Sequence, residues 1–572
     1  MKSRTLPRSH EILILIQKMV KLPPEKALFF FNCLTNQGVS HTHQSISFIL
    51  NCLLTSGMLS EAQSLLVRMI AGRFSCKFSP SSPTGQLTET CYFSEATCAL
   101  LYEALVNAYL HSKLHNQALY IFKQMIDKGI VPRPKTFNNV LSSLVRSNCF
   151  GEAWQIFNEA KGRPMLDIYS FGILIKGCCE AGDMIKAFQL FAQLEKLAWP
   201  PNVVIYTTLI NGCFKNGDFQ LAKKLYCTMQ KLRLVPNPHT YTVLIDGFFK
   251  QGLKTEGFQM YGTMKRNQVV PNGYTYNCVI NEHCNDGNMD EAFKVFEEMS
   301  EKGVACGVVT YNILICGLCR VKRIWEALKL LDQVNIVGLR PNVITYNTLI
   351  KGFCEAGKMD VAVRLFNKLK TNGPSPSLVT YNTLIAGYAR TGNLEKTLHL
   401  VKEMEERSIA PSQVTYTTIL GGFVGLNEIE KAFGILSFME KSGLASDVCT
   451  YSVLIHGLCS SGRMEEASRL IRSMGDKNLK PNSVIYNIMI HGYCRQDNSY
   501  RALRLLDEMV ESGMVPNVAS FSLTIRVLCR DGKWEEAEML LREMINSGLQ
   551  PSVSLSNLIS QARSGILNAH CS

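Results

Sequence analysis

The chain contains no run of roughly 18 or more apolar residues, the length a helix needs to cross a bilayer. Its most apolar stretches, Ile12–Ile16 and Ala27–Leu34, are far shorter, so membrane insertion is not expected. Also missing are a phosphate-cradling glycine loop, an HExxH zinc helix and a GxSxG nucleophile elbow. These absences exclude the commonest nucleotide-driven and hydrolytic chemistries. Charge is sparse, with 19% charged residues, yet 46% of residues are hydrophobic, so the chain can bury a core and is not a disordered tail. Of the charge present, 60 Lys and Arg outnumber 47 Asp and Glu, a net of +13. That excess suits a polyanionic partner without naming it. The 21 cysteines are scattered along the chain, which argues against a disulfide-stapled scaffold. Lys2, Arg4 and Arg8, with no acid in the first ten residues, have the composition of a short organellar presequence.

What the chain does have is a period. Tyr206, Tyr241, Tyr276, Tyr311, Tyr346, Tyr381, Tyr416, Tyr451 and Tyr486 follow one another at 35-residue spacing, with Phe171 before them and Phe521 after. A methionine column (Met229, Met264, Met299, Met404, Met439, Met474, Met509, Met544) keeps the same register. So does an alanine column (Ala222, Ala292, Ala327, Ala362, Ala432, Ala467, Ala502, Ala537). Chance does not hold three columns in phase over that length, and the pattern marks a tandem array. With the aromatic numbered position 4, full units run 168–202, 203–237, 238–272, 273–307, 308–342, 343–377, 378–412, 413–447, 448–482, 483–517 and 518–552. A unit at 134–167 is one residue short. Weaker units fit 99–133 and 43–77, and a degenerate one falls within the N-terminal segment 1–42. An irregular Ser/Pro/Thr-rich insertion occupies 78–98, and 553–572 is a half unit with a tail.

Each unit reads as two helices. In 343–377, VITYNTLIKGFCEAG has apolar residues at helical spacing and ends at Gly357. KMDVAVRLFNKLKTNG is a second amphipathic helix, stopped at Gly373 before the Pro376 region. One such hairpin cannot bury its apolar face alone. Stacked copies can, which predicts an all-α solenoid of about fourteen helix–turn–helix units with a continuous concave surface.

The unit pattern VTYNTLI.G....G....A..L...M...G..P resembles the pentatricopeptide repeat, most closely at 308–342, 343–377 and 378–412. The resemblance covers 99–560 strongly and 8–77 loosely. The uniform 35-residue spacing is similar to the pure P subclass. That resemblance implies a right-handed superhelix in a plant mitochondrion, or alternatively a chloroplast. It would bind single-stranded RNA one base per repeat, in intron splicing, transcript stabilisation or processing, alongside other RNA-processing factors. By the family's habit, positions 5 and 35 of a unit read the base and position 2 residues sandwich it.

Carried onto this chain, the reading pairs are Asn138/Asp167, Gly172/Asn202, Thr207/Asn237, Thr242/Asn272, Asn277/Gly307 and Asn312/Asn342. They continue as Asn347/Ser377, Asn382/Ser412, Thr417/Asp447, Ser452/Asn482, Asn487/Asn517 and Ser522/Ser552. Small polar residues weaken a helix interior, so a recurring Asn, Thr or Ser at position 5 asks for a reason. Helix capping is one and base reading is another. Asp at position 35 only accepts, which suits the imino N–H of G or U. Asn or Ser can also donate, which suits the ring nitrogen of A or C. A short Thr at position 5 leaves room for a purine, and a longer Asn fits a pyrimidine. The family's preferences then give 5′-U-?-A-A-Y-Y-C-C-G-A-Y-?-3′, Y being C or U. Gly172, Gly307 and the Ser522/Ser552 pair depart from the family's usual combinations, and Glu103/Arg133 matches none.

Position 2 is Val204, Val309, Ile344, Val379, Val414 and Val484, with His239 and Tyr274 in the same column. These side chains either stack on bases or pack between units. Position 13 is basic at Lys215, Lys250, Arg320, Arg390, Arg495 and Arg530, interrupted by Glu355. That stripe suits phosphates, although basic residues also favour helix C-termini.

The position 4 tyrosines lie on the apolar stripe and are expected in the core. Cysteines at position 12 (Cys179, Cys284, Cys319, Cys354, Cys459, Cys494, Cys529) read as small buried residues. Cys316 and Cys319 form a lone CxxC without a second pair at zinc spacing, so no metal and no cofactor is expected. Cys571 reads as an unpaired thiol. No terminal deaminase signature of HxE and CxxC follows Ser552, so the chain is expected not to be an enzyme. The rival reading is a protein-binding scaffold of tetratricopeptide type, which would vary the residues of its binding face instead of repeating a small polar pair.

Overall fold

The computed structural model describes residues 22–36, 41, 43–72 and 94–563. The basic N-terminus, most of the 78–98 insertion and Cys571 lie outside them. Thirty helices and no strands are present among the described residues. No helix there is long and apolar enough to cross a membrane. The chain divides into two compact units, Met1–Cys278 and Val279–Ser572. Each is a stack of helical hairpins.

A typical repeat has a first helix of 13 residues, such as Val343–Glu355, and a second, such as Leu394–Glu406. The first helix ends where Gly357 takes φ +71°. Its N–H donates to the Cys354 carbonyl at 3.2 Å and that of Lys358 to Phe353 at 2.9 Å. This pair of reversed bonds closes the helix through a left-handed residue. The second helix of the same repeat behaves differently. It runs through Asn372, one residue beyond the usual end, and Gly373 is extended at φ −110°. The cause is Pro374, whose ring disfavours helical backbone in the residue before it. Gly373 therefore ends this helix in extended backbone, not in the left-handed conformation of Gly357. The first helix of the 99–133 repeat also differs: it starts at Glu95, capped by Ser94, inside the segment read as insertion.

Within each unit a first helix packs on its own second helix and on the first helix of the following repeat. The position 4 ring makes this stacking specific. Phe191 meets Tyr206 edge-on with centroids 5.3 Å apart, and Phe366 meets Tyr381 at 5.3 Å. In both pairs a second-helix aromatic touches the tyrosine of the next repeat. Tyr241 and Tyr381 are fully buried, each such ring contributing roughly 1.5–3 kcal/mol by leaving water. A continuous core joins Ala27 to Phe248 in the first unit. Another joins Ile429 to Ile559 in the second.

The position 12 cysteines set how closely first helices approach. Cys354 is 3% exposed and lies beneath Gly387 of the next repeat. A β-carbon at Gly387 would sit 2.7 Å from Cys354 Sγ and 2.8 Å from Met359 Sδ. Burial pushes the Cys354 thiol up to about 12, as expected of an inert filler. Gly387→Ala is expected to cost about 1–3 kcal/mol in urea denaturation, because the overpacked interface must spread. Gly434 lies mid-helix with nothing within 4 Å of its built β-carbon. Gly434→Ala should therefore stabilise by about 0.5–1 kcal/mol. Equal effects of the two substitutions would refute the close-approach explanation.

Candidate nucleic-acid interface

Position 35 is the N-cap of the next first helix. Asn202, Asn237, Asn272, Asn342, Asn482 and Asn517 each accept, through Oδ1, the backbone N–H three residues on, at 2.8–3.1 Å. Asp167 and Asp447 do the same at 2.9 and 2.8 Å. Ser377 and Ser412 cap through Oγ. Capping satisfies an orphan helix donor, and it also fixes which end of the side chain projects. An asparagine whose Oδ1 is held by the helix turns its Nδ2 donors outward. An aspartate turns out Oδ2, an acceptor. Capping and base reading are therefore not exclusive at these columns, since one side chain can serve both.

Asn272 qualifies the expectation that the position 35 amide is free to donate. Its Nδ2 already donates to Thr242 Oγ1, the position 5 hydroxyl of its own repeat, at 3.4 Å. The Thr242/Asn272 pair is therefore joined before any ligand arrives. An amide nitrogen carries two hydrogens, so the long bond to Thr242 leaves one for a base.

Position 5 lies beside the cap of its own repeat. Asn138 donates to Asp167 at 3.0 and 3.1 Å, and Asn312 donates to Asn342 at 3.3 Å. Asn277, Asn312, Asn347, Asn382, Thr417, Ser452, Asn487 and Ser522 are half-buried. Thr207 and Thr242 are buried at 3% and 6% exposure, each donating to the backbone carbonyl four residues back at 2.7 Å. Gly172 faces Ile205 and offers no polar group. Gly307 leaves its helix without a side-chain cap. Ser552 is exposed, 2.9 Å from Ser554 Oγ.

Glu103 and Arg133 occupy the same two positions in the 99–133 repeat and are spent on each other. The Glu103 carboxylate accepts from the backbone N–H of Arg133 at 2.8 Å and forms an ion pair with its guanidinium. The odd pair in the sequence is therefore a closed structural one.

The six aliphatic residues at position 2, Val204, Val309, Ile344, Val379, Val414 and Val484, are 51–63% exposed. Tyr169 and Tyr274 in this column are 68% and 56% exposed. Packing between repeats would have buried them. At position 13 all six basic residues are exposed, and several have local partners. Lys250 pairs with Asp246 at 2.7 Å and Arg530 with Asp497 at 2.5 Å, while Arg320 donates to Asn285 at 2.5 Å. These pairs are exposed and weak, so an incoming phosphate could displace them at small cost.

The columns converge in one cleft of about 410 Å³ in the first unit. Val204 and His239 line it from position 2 of successive repeats, Thr207 and Asn237 from positions 5 and 35. Lys215 lines it from position 13, and Lys176 joins it. Two flanking surfaces, a polar pair between them and the ammonium groups of Lys176 and Lys215 form a slot, which the Glu180 carboxylate, 3.9 Å from Lys176, also lines.

Position 3 carries a further polar column. Ser170, Thr240, Thr275, Thr310, Thr345, Thr380, Thr415, Thr450 and Ser520 are all 0–1% exposed. Their hydroxyls reach position 5 side chains of the preceding repeat: Thr345 donates to Asn312 Oδ1 at 2.6 Å, Thr415 to Asn382 at 2.7 Å and Ser520 to Asn487 at 2.7 Å. The signal was a Thr or Ser recurring in nine of the eleven full units, easily passed over as a filler before the tyrosine.

Fold and site together define a tandem helical-repeat protein with a small polar pair in most of its hairpins. A PPR repeat family model matches residues 201–530 in nine overlapping stretches, more than half of the chain. A pentatricopeptide repeat-containing protein model matches 96–194 and a PPR repeat model 519–549. The chain belongs to the PPR repeat family. Pentatricopeptide repeat-containing protein At4g11690 of Arabidopsis thaliana is 50% identical over 202 residues, 35% of each chain. The mitochondrial At3g14580 protein of the same plant is 34% identical over 125 residues, 22% of this chain and 30% of that one. The chloroplastic At4g19440 protein is 27% identical over 191 residues, 31% and 22%. The matched segment thus spans about a third or less of these relatives' own lengths. Among solved structures, the pentatricopeptide repeat protein PPR10 from maize is 20% identical, with 98% of both chains covered and a TM-score of 0.46.

Proposed function

We propose that the protein binds single-stranded RNA, presenting one reading pair to each base, and acts in plant organellar RNA metabolism: splicing, stabilisation or processing of a transcript. We place it in the mitochondrion, with the chloroplast as the alternative, since relatives carry both designations. The observation that carries this reading is the cleft in which Val204, His239, Thr207, Asn237 and Lys215 meet. Five residues picked from four separate columns line one slot shaped for a base and its phosphate. A protein-binding scaffold gives no reason for a polar pair of fixed register flanked by exposed aliphatic residues.

Occupying a strand in this way would protect or remodel it, and any cleavage would come from partners. Duplex RNA hides the base edges that the pairs would meet. A labelled single strand should therefore bind at least about tenfold tighter than the same sequence in a duplex. The affinity should fall with salt at a slope of about −0.7 per phosphate neutralised. Equal affinity for both forms in fluorescence anisotropy would overturn the proposal.

A further inference from the structure

We propose that the buried hydroxyl at position 3 of the following repeat is the positioning group that sets the hydrogen-bonding polarity of the position 5 residue. This inference rests on the base-reading function proposed above and goes beyond it by naming a residue that need not touch RNA.

The position 3 hydroxyl sits between two elements. It belongs to the first helix of one repeat and reaches back to the position 5 side chain of the repeat before. In asparagine repeats the hydroxyl's shortest contact is the position 5 amide oxygen, although Thr345 and Ser170 also lie 3.1 and 3.0 Å from the cap oxygens of Asn342 and Asp167. Thr345, Thr415 and Ser520 donate to Oδ1 of Asn312, Asn382 and Asn487 at 2.6, 2.7 and 2.7 Å, and Ser170 donates to Asn138 Oδ1 at 2.6 Å. The amide oxygen is held inward and the two Nδ2 hydrogens turn toward position 35 and solvent. An asparagine locked this way offers donors only. Asn277 and Asn347 are exceptions: each has a buried Oδ1 that no hydrogen bond reaches.

In threonine repeats the same hydroxyl has the opposite consequence. Thr207 and Thr242 lie 2.7 Å from the carbonyls of Val203 and Pro238 and 2.8 and 2.6 Å from Thr240 and Thr275 Oγ1. A hydroxyl has one proton. With that proton on the backbone carbonyl, the position 5 oxygen has no donor left for a ligand, and the position 3 proton lies between it and the cap oxygen of Asn237 or Asn272, 3.1 Å away. The Asn272 amide, which donates to Thr242 Oγ1, meets that oxygen in an accepting role. Position 5 thus offers donors when it is Asn, and no donor where it is Thr207 or Thr242.

This polarity matches the edges of the bases. Pyrimidines carry an acceptor, O2, beside the ring nitrogen that position 35 would meet. Guanine carries a donor amine there, and adenine a C–H. A donor at position 5 favours the pyrimidine, and an acceptor repels O2. Size therefore need not be the main discriminator. The chain also contains its own exceptions. Ile205 and Ile485 occupy position 3, are buried and provide no hydroxyl. Ser452, which should be served by residue 485, instead donates to the Cys449 carbonyl at 2.8 Å.

The test compares full-length protein variants with 12-mers varied at one base. Wild type is expected to prefer a pyrimidine over a purine by about tenfold at the base facing 308–342. Thr345→Val should reduce that ratio to about threefold or less while leaving the ratio at the base facing 378–412 unchanged. Thr415→Val should do the reverse, and Thr345→Ser should restore wild-type discrimination. Ile485→Thr should sharpen discrimination at the base facing 448–482, and it decides alone if the valine variants lose their cooperative melt. A wild type indifferent to base identity would defeat the reading function itself. A discriminating wild type whose ratios survive Thr345→Val and do not change in Ile485→Thr would overturn the positioning role specifically.

Discussion

Arg133→Ala is expected to destabilise the N-terminal repeats by about 2–4 kcal/mol. The mechanism is a charge left without its partner. Glu103 is 3% exposed, and its carboxylate is held by the Arg133 guanidinium and by the backbone N–H of residue 133. Removing one member of a buried pair usually costs about 3–5 kcal/mol, since the remaining ion is desolvated and unpaired. The expected value lies toward the low end for two reasons. The backbone N–H survives the substitution, and the arginine side chain is itself 55% exposed. Repeat arrays lose structure locally before they lose it globally. The effect should therefore appear as faster amide exchange over Glu95–His111, with little change in the second unit. Adding Glu103→Gln to Arg133→Ala should recover most of the loss. A double variant as unstable as the single one would show that packing, and not the stranded charge, was responsible. The proposed RNA register would then begin, as before, with Asn138 and Asp167.

Thr417→Asn should move the preference at its base from G toward U by about ten- to a hundredfold, the range a good base contact supports. Thr417 lies 3.0 Å from Thr450 Oγ1, and Asp447 caps the following helix. Asparagine at 417 would recreate the combination already present at Asn138 and Asp167, whose side chains meet at 3.0 Å. Thr450 can serve it as Thr415 serves Asn382. Asp447 is unchanged, so the requirement for an imino donor persists and only the purine preference is lost. Binding of 12-mers with each of the four bases at that site reads the result. An unaltered order of preference would remove Thr417 from the reading set.

The extent to which the sequence revealed this molecule follows from the stacking itself. Equivalent residues of successive repeats occupy equivalent environments, so Tyr241, Tyr381 and Tyr451 appear as a column because each fills the same pocket. The boundaries near Gly357, the buried cysteines and the exposure of the position 2 residues all follow from that regularity. Departures were less visible. Pro374 acts through the preceding glycine and lengthens one helix, an effect of neighbouring sterics that a column average hides. Glu103 and Arg133 looked like an unreadable pair because only three-dimensional proximity shows that they neutralise each other. The bond from Asn272 to Thr242 was hidden for the same reason, its ends being 30 residues apart. The position 3 hydroxyls repeat as faithfully as the tyrosines, but their partners lie 33 residues away. A β-branched residue before an aromatic gives no hint of such a bond. What periodicity makes legible is the environment, and what it conceals is the pairing between columns.

The central claim is that small polar side chains at positions 5 and 35 read unpaired bases in order along the chain. Gel shifts with 5′-U-N-A-A-Y-Y-C-C-G-A-Y-N-3′, N being an equal mixture of bases, against a scrambled 12-mer of equal composition test it most directly. At least about tenfold tighter binding of the ordered sequence is expected. Equal affinity for the two strands would contradict it.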